Sequence, residues 1–315
     1  MSRPVLLAPL AATLLVAAWS PSAHAACPGG LPTAQLVQCL NNQLGAAQAQ
    51  IASLQSQVGA LQADIGALQD LNDYLMVDTG TDSVIFTGAN VYIQSGAGST
   101  MAAPNGLGNL IVGYDEDIQD VYSWVSSEKT GSHNLVVGPY HTYTSYGGAA
   151  LGEGHWLYAP YAGVLGGYFG WVEGDHGAVC GGNGGYAPGS YSTVVGGEAG
   201  VAAGYESTAV GVYWGSAAGF YAVAVGGEGI NAAGDYSVAL GGQGSYTASN
   251  HDVAAGGYNT QATGGWSTAL GGASDTASGV GSVAVGGFSG EASGAYSTVR
   301  GGYDATVSST YGYGP

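Results

Sequence analysis

The chain has 315 residues, 59 of them glycine, and carries 21 acidic against three basic residues, a formal net charge of −18. So acidic a chain is repelled by nucleic acid and by anionic lipid, which excludes both as primary partners. Glycine this abundant without a collagen triplet fits disorder by composition alone, but the strict register described below, with frequent Val, Leu and Tyr, argues for order.

Residues 1–25 read as a secretory signal peptide. Arg3 supplies the positive start, Val5 to Ala18 the apolar run, and Ala23-His24-Ala25 a small-x-small cleavage site. The apolar run is too short to span a bilayer comfortably. Three residues before Cys27 stands His24 and not an aliphatic residue, so a lipoprotein-type anchor is rejected. The expected destination is the cell surface or exterior of a Gram-negative bacterium, with the periplasm as the fallback. Disulfides persist in all of these places. Residues 26–36 form a Cys/Pro/Gly segment. Cys27 and Cys39 are expected to pair, within one chain or between chains.

From 37 to 75 a heptad seam runs through six repeats. Its first position reads Val37, Leu44, Ile51, Val58, Ile65, Asn72, and its fourth Leu40, Ala47, Leu54, Leu61, Leu68, Leu75. This spacing predicts a coiled coil. β-branched residues at the first position with Leu at the fourth lean toward two strands.

Residues 76–130 form a β entry region. Ser83 to Phe86 and Asn90 to Gln94 are strand-like runs separated by a glycine turn. Asn109-Leu110-Ile111-Val112-Gly113 mirrors Asn134-Leu135-Val136-Val137-Gly138, which suggests an additional coil followed by an insertion. The insertion holds Asp115, Glu116, Asp117 and Asp120. It lacks the glycine and alternating oxygen ligands of a calcium loop and is read as a solvated run.

Residues 131–315 are repetitive. Glycines recur at 138, 152 and 166 in steps of 14, then at 181, 196, 211, 226, 241, 256, 271, 286 and 301 in steps of 15. Before each stands a short apolar run, such as Val238-Ala239-Leu240. Six and eight residues after most of them come Ala and Gly, as in Ala202 and Gly204. A fixed period this short predicts an all-β solenoid with two short strands per coil, about twelve coils and roughly 55–60 Å long at 4.8 Å per step. Either the bulky column (Val195, Leu240, Leu270) or the alanines fill the interior, since both satisfy period-2 alternation. Cys180, in the bulky column, reads as a small buried hydrophobe. Arg300 stands where earlier coils place Val or Leu. It is expected to open to solvent or to pair with an acid such as Asp304, because an unpaired buried guanidinium is very costly.

Ser237-Val238-Ala239-Leu240-Gly241 and Ser282-Val283-Ala284-Val285-Gly286, with Ala-x-Gly between, resemble the head repeats of trimeric autotransporter adhesins, the YadA-like head. The resemblance covers roughly residues 131–302. It implies a left-handed parallel β-roll in a parallel homotrimer, three strands for the coiled coil, and a role in adhesion. This chain departs from the family in three ways: its step is mostly 15 where the family's is 14, its stalk precedes its head, and no run of amphipathic barrel strands closes it. A direct membrane anchor is therefore not expected.

No enzyme is expected. His133, His141, His155 and His176 lack ligand spacing and read as solvated or turn residues, and no serine lies in a Gly-x-Ser-x-Gly elbow. No catalytic, metal or cofactor residue is assigned. The remaining signal is aromatic. Tyr191, Tyr221, Tyr236, Trp266 and Tyr296 stand five residues before the ladder glycines 196, 226, 241, 271 and 301 and share one edge of the solenoid. They shield a turn, and they also form a candidate surface strip for an extracellular matrix protein, a glycan or another surface protein. Three functions follow: an adhesin-like binding protein, a structural spacer or assembly subunit of a matrix or filament, and an ice-binding solenoid. The last is disfavoured because Val223, Val238 and Val283 interrupt the threonine column.

Overall fold

The computed structural model describes residues 27–122 and 127–315. The expected signal peptide lies outside the described residues. The chain forms two compact units, one ending at Val91 and one running from Tyr92 to Pro315.

The first unit holds helix α1 (Thr33–Asn72) and an antiparallel hairpin of β1 (Leu75–Asp78) and β2 (Ser83–Phe86). The 40-residue helix is about 60 Å long at 1.5 Å per residue. Its heptad residues, among them Leu44, Leu54 and Leu61, are exposed on the single chain. Leu75, last in the seam, is already in β1, where it pairs with Phe86. Asn90 to Gln94 is not a strand; the partner of Ser83–Phe86 is β1, on the N-terminal side. Cys27 and Cys39 are bonded within the chain, with Cα atoms 6.0 Å apart.

The second unit is a parallel β-solenoid. One sheet of 14 strands runs from β3 (Leu110–Val112) to Tyr313–Gly314, and a second of 12 strands from Thr142–Tyr143 to Thr306–Val307. β3 joins the first sheet through Leu110↔Leu135, so the run at Asn109 does supply a strand. Apart from one bulge, pairing is in register: Val238, Ala239 and Leu240 face Val253, Ala254 and Ala255 one coil on.

The change of step from 14 to 15 is a bulge. Leu151 pairs with Leu165, 14 residues on, but Glu153 pairs with Tyr168, 15 on. The extra residue lies at the Gly166-Gly167 pair, opposite the single Gly152. The second glycine of most later coils is this same inserted residue. Both glycines take positive φ, +77° and +86° at Gly166 and Gly167, where a side chain would be strained.

Packing resolves which column faces inward. Ala209, Ala224, Ala239, Ala254, Ala269 and Ala284 are fully buried, as are Ala217, Ala232 and Ala262 of the second sheet. Val195, Val225, Leu240, Leu270 and Val285 point outward and are more than a third exposed on the single chain. The interior is thin because neighbouring coils approach backbone to backbone. A Cβ at Gly204 would lie 1.8 Å from the carbonyl oxygen of Gly219, and one at Gly219 would lie 2.1 Å from that of Gly234. The recurrent Ala-x-Gly is thus a contact requirement. Cys180, on the outward column, is half-buried on the single chain and does not belong to the interior.

Arg300 is exposed, and its guanidinium lies 5.3 Å from the ring centre of Tyr313. It stacks on this ring and makes no salt bridge to Asp304. The one ion pair among the described residues joins Lys129 to Asp115 at 3.2 Å.

Candidate functional site: an aromatic column on one turn

A repeat of 15 returns each turn residue to the same place one coil on, at the strand spacing of about 4.8 Å. The column carrying the sequence-predicted strip contains Tyr161, His176, Tyr191, Glu206, Tyr221, Tyr236, His251, Trp266, Gly281, Tyr296 and Tyr311. Every residue in it is left-handed, with φ between +53° and +64°. Side chains pay an energetic penalty there, on the order of 1 kcal/mol each. Ring stacking along the column offsets part of it.

The rings form ordered runs. Tyr161, His176 and Tyr191 stack at successive centroid distances of 4.8 Å. Tyr221, Tyr236, His251 and Trp266 stack at 5.0, 5.0 and 4.4 Å, with planes 10° to 14° apart. Tyr296 stacks on Tyr311 at 5.3 Å. Of the five predicted residues, Tyr221, Tyr236 and Trp266 therefore share one stack, which His251 completes. Tyr191 and Tyr296 are separated from it by Glu206 and Gly281. His176 and His251 were legible as members, since they stand 15 residues from Tyr191 and Tyr236; attention to tyrosine and tryptophan alone missed them.

Breaks in the column are filled from the position before it. Tyr205 meets Tyr191 edge-on at 5.6 Å and Tyr221 at 5.9 Å, bridging Glu206. Tyr146 meets Tyr161 edge-on at 5.5 Å, beside Gly147. A second aromatic group, unanticipated from the sequence, lies on the other sheet: Trp156, Trp171 and Tyr186 follow one another at 5.7 and 5.2 Å. Tyr186 donates to Glu173 Oε2 at 2.6 Å, and this bond pushes its phenol up to about 12.

Two histidines are not solvated. His141 and His155 are fully buried in the first coils. The N–H groups of His155 and Gly170 donate to Nδ1 of His141 and His155 at 3.1 and 3.0 Å. With Nδ1 accepting, Nε2 carries the proton and donates to Val137 O and Leu151 O at 3.1 and 3.0 Å. Burial holds both imidazoles below their ordinary value, His155 at about 4. Every ring nitrogen is engaged, which makes the pair a brace between coils.

The acidic insertion is likewise used locally. Asp117 accepts from the N–H groups of Gln119 and Ser127 at 2.9 and 3.0 Å, capping the 3-10 turn Ile118–Asp120. Asp115 accepts from Tyr143 at 2.9 Å and pairs with Lys129. Among the described residues no group of three or more His, Cys, Asp or Glu is placed to hold a metal ion. No helix among them is long and apolar enough to cross a membrane.

The fold defines a parallel β-solenoid of twelve two-stranded coils with an N-terminal helix. No family model and no curated protein matches the chain.

Proposed function

We propose that this chain is a non-enzymatic, extracellular, adhesin-like binding protein that works as a parallel homotrimer. The observation that carries the reading is the aromatic column, in which Tyr191, Tyr221, Tyr236 and Trp266 stand exposed on successive or near-successive coils. Such a surface meets a partner with the same chemistry coil after coil, and trimerisation repeats it chain after chain. Weak contacts then sum to avidity without a deep pocket.

Assembly is supported by two unpartnered apolar surfaces. One is the heptad seam of α1, and the other is the outward column of Val195, Val225, Leu240, Leu270 and Val285. Contiguous exposed apolar surface of this kind marks an interaction face. The resemblance to YadA-like head repeats points to three chains, each roll being a left-handed one beside its neighbours. Partners in this reading are a matrix protein, a glycan or another surface protein.

The test compares cells with and without the gene for attachment to matrix-coated and abiotic surfaces, alongside fractionation. Loss of attachment in the deletion strain is expected. A protein confined to the periplasm, with attachment unchanged, replaces this reading with that of a structural spacer.

A further inference from the structure

The aromatic group on the second sheet is separate from the turn column. Trp156–Leu157, Trp171–Val172 and Tyr186–Ala187 are successive strands paired in register. Leu157, Val172 and Ala187 are buried, so Trp156, Trp171 and Tyr186 stand on the outer face of the sheet. Tyr158, next after Leu157, stands on the same face with its ring centre 6.1 Å from that of Trp171. Trp171 and Tyr158 are 39% and 38% exposed. Carboxylates flank these rings. Glu173 is exposed and accepts from Tyr186 at 2.6 Å. Glu128 is exposed, and its carbonyl accepts from the N–H of Tyr143, in the strand beside Trp156–Leu157. Burial, and then the charges of Glu128 and Glu173, raise the Tyr158 phenol above its ordinary value. The two cations among the described residues are engaged elsewhere, Lys129 with Asp115 and Arg300 with the Tyr313 ring.

We propose that this outer face, formed by Trp156, Trp171, Tyr186 and Tyr158 and flanked by Glu128 and Glu173, is a docking surface for the arginine side chains of a basic segment of a partner protein. A guanidinium is attracted to an aromatic face and pairs with carboxylates, so rings and acids on one surface recognise it together. The solenoid already makes the first of these contacts with its own arginine. The guanidinium of Arg300 lies 5.3 Å from the ring centre of Tyr313, on the neighbouring strand, and makes no salt bridge to Asp304. The net charge of −18 draws a basic partner from a distance. An uncharged sugar gains from the rings but not from that charge. The surface is distinct from the turn column, and the proposal stands whether or not the protein is an adhesin.

The experiment titrates the full chain by calorimetry with the peptide acetyl-Arg-Gly-Arg-Gly-Arg-amide. The same peptide with citrulline for arginine, which keeps the planar head group without its charge, and methyl β-glucoside are run in parallel. Saturable binding of the arginine peptide is expected, with a Kd on the order of 0.1 mM, and the citrulline peptide and the sugar should bind about tenfold more weakly or worse. Trp171→Leu keeps an apolar side chain at an exposed position and removes the aromatic face. Glu173→Gln removes one flanking charge. Each should weaken the arginine peptide about fivefold, with the circular dichroism unchanged. Tyr303→Leu and Asp304→Asn remove an exposed ring and a charge near the other end of the solenoid and should leave the affinity as it was. Equal binding of the citrulline and arginine peptides overturns the proposal, as does an affinity unaltered in both Trp171→Leu and Glu173→Gln, an equal loss in Tyr303→Leu and Asp304→Asn, or the absence of saturable binding. Glucoside binding that is tighter than peptide binding and lost in Trp171→Leu would assign the surface to a sugar instead.

Discussion

His155 donates its backbone N–H to Nδ1 of His141 at 3.1 Å, and the two buried rings stack with centroids 5.1 Å apart. The same position later in the solenoid is held by residues that repeat half of this arrangement. Ser245 donates to Gly241 O and Thr260 to Gly256 O, both at 2.9 Å, while Asp275 Oδ1 accepts from Gly290 N at 2.8 Å. His141, His155 and Asp275 thus each accept from the next coil, while Ser245 and Thr260 bond to the carbonyl four residues back, and glycines and Ile230 hold the position between the two groups.

Acid should weaken the first coils. Burial depresses both histidines, with His155 at about 4, whereas an unfolded histidine titrates near 6.5. Between those values the unfolded chain binds protons that the folded chain does not. Stability is therefore fully present above about pH 6.5 and falls as pH drops toward 4, by ~3 kcal/mol for His155 alone. The urea midpoint should be lower at pH 5 than at pH 7.5, and His141→Gln with His155→Gln should flatten the difference between pH 5.5 and 7. Equal midpoints in the unsubstituted protein would contradict this account.

Asp275 behaves in the opposite sense. It is fully buried, its Oδ2 has no hydrogen-bond partner, and burial raises its pKa. Its ionised form is a cost to the fold that is present above the raised folded value and relieved as pH falls through it. The hydroxyls of Ser245 and Thr260 at the same position donate to carbonyls, which a carboxylate does not do. Asp275→Asn should stabilise the protein at pH 7 by about 1 kcal/mol, read as a higher urea midpoint. A lower midpoint would show that the carboxylate is needed.

Two glycines should respond differently to alanine. At Gly219 the new Cβ would lie 2.1 Å from Gly234 O, in a backbone that has no room to yield. Overpacking of this kind costs about 1–3 kcal/mol or more. At Gly226 there is open space but a φ of +63°, and the expected cost is only the ~1 kcal/mol of a left-handed residue. Thermal unfolding of the two variants gives the ranking, and a greater loss at Gly226 would refute the close-approach explanation.

Assembly is tested by multi-angle light scattering at micromolar concentration. Three chains are expected. Leu54→Asp, at an exposed seam position, should reduce the mass if the helix carries association. A two-chain mass would mean that the β-branched pattern of the seam sets the number.

Thiol counting on denatured, unreduced protein should find one thiol per chain, that of Cys180, since Cys27 and Cys39 are bonded to each other. Three thiols would place the protein in a reducing compartment.

Much of this architecture was legible because each coil repeats the same local signals. The glycine ladder located the strands, and the run at Asn109 was recognisable as one more. The sequence by itself determined the period, the strand positions and the aromatic column. Tertiary structure alone decided that Ala239 lies inside and Leu240 outside. Alternation permits either, and the close carbonyl contacts at Gly204 and Gly219 go with a thin interior lined mostly by alanine, into which larger residues such as Leu157 and Ile230 fit only at single coils. It also decided that His141 and His155 are buried, because their partners His155 N and Gly170 N come from the next coil, 14 and 15 residues away.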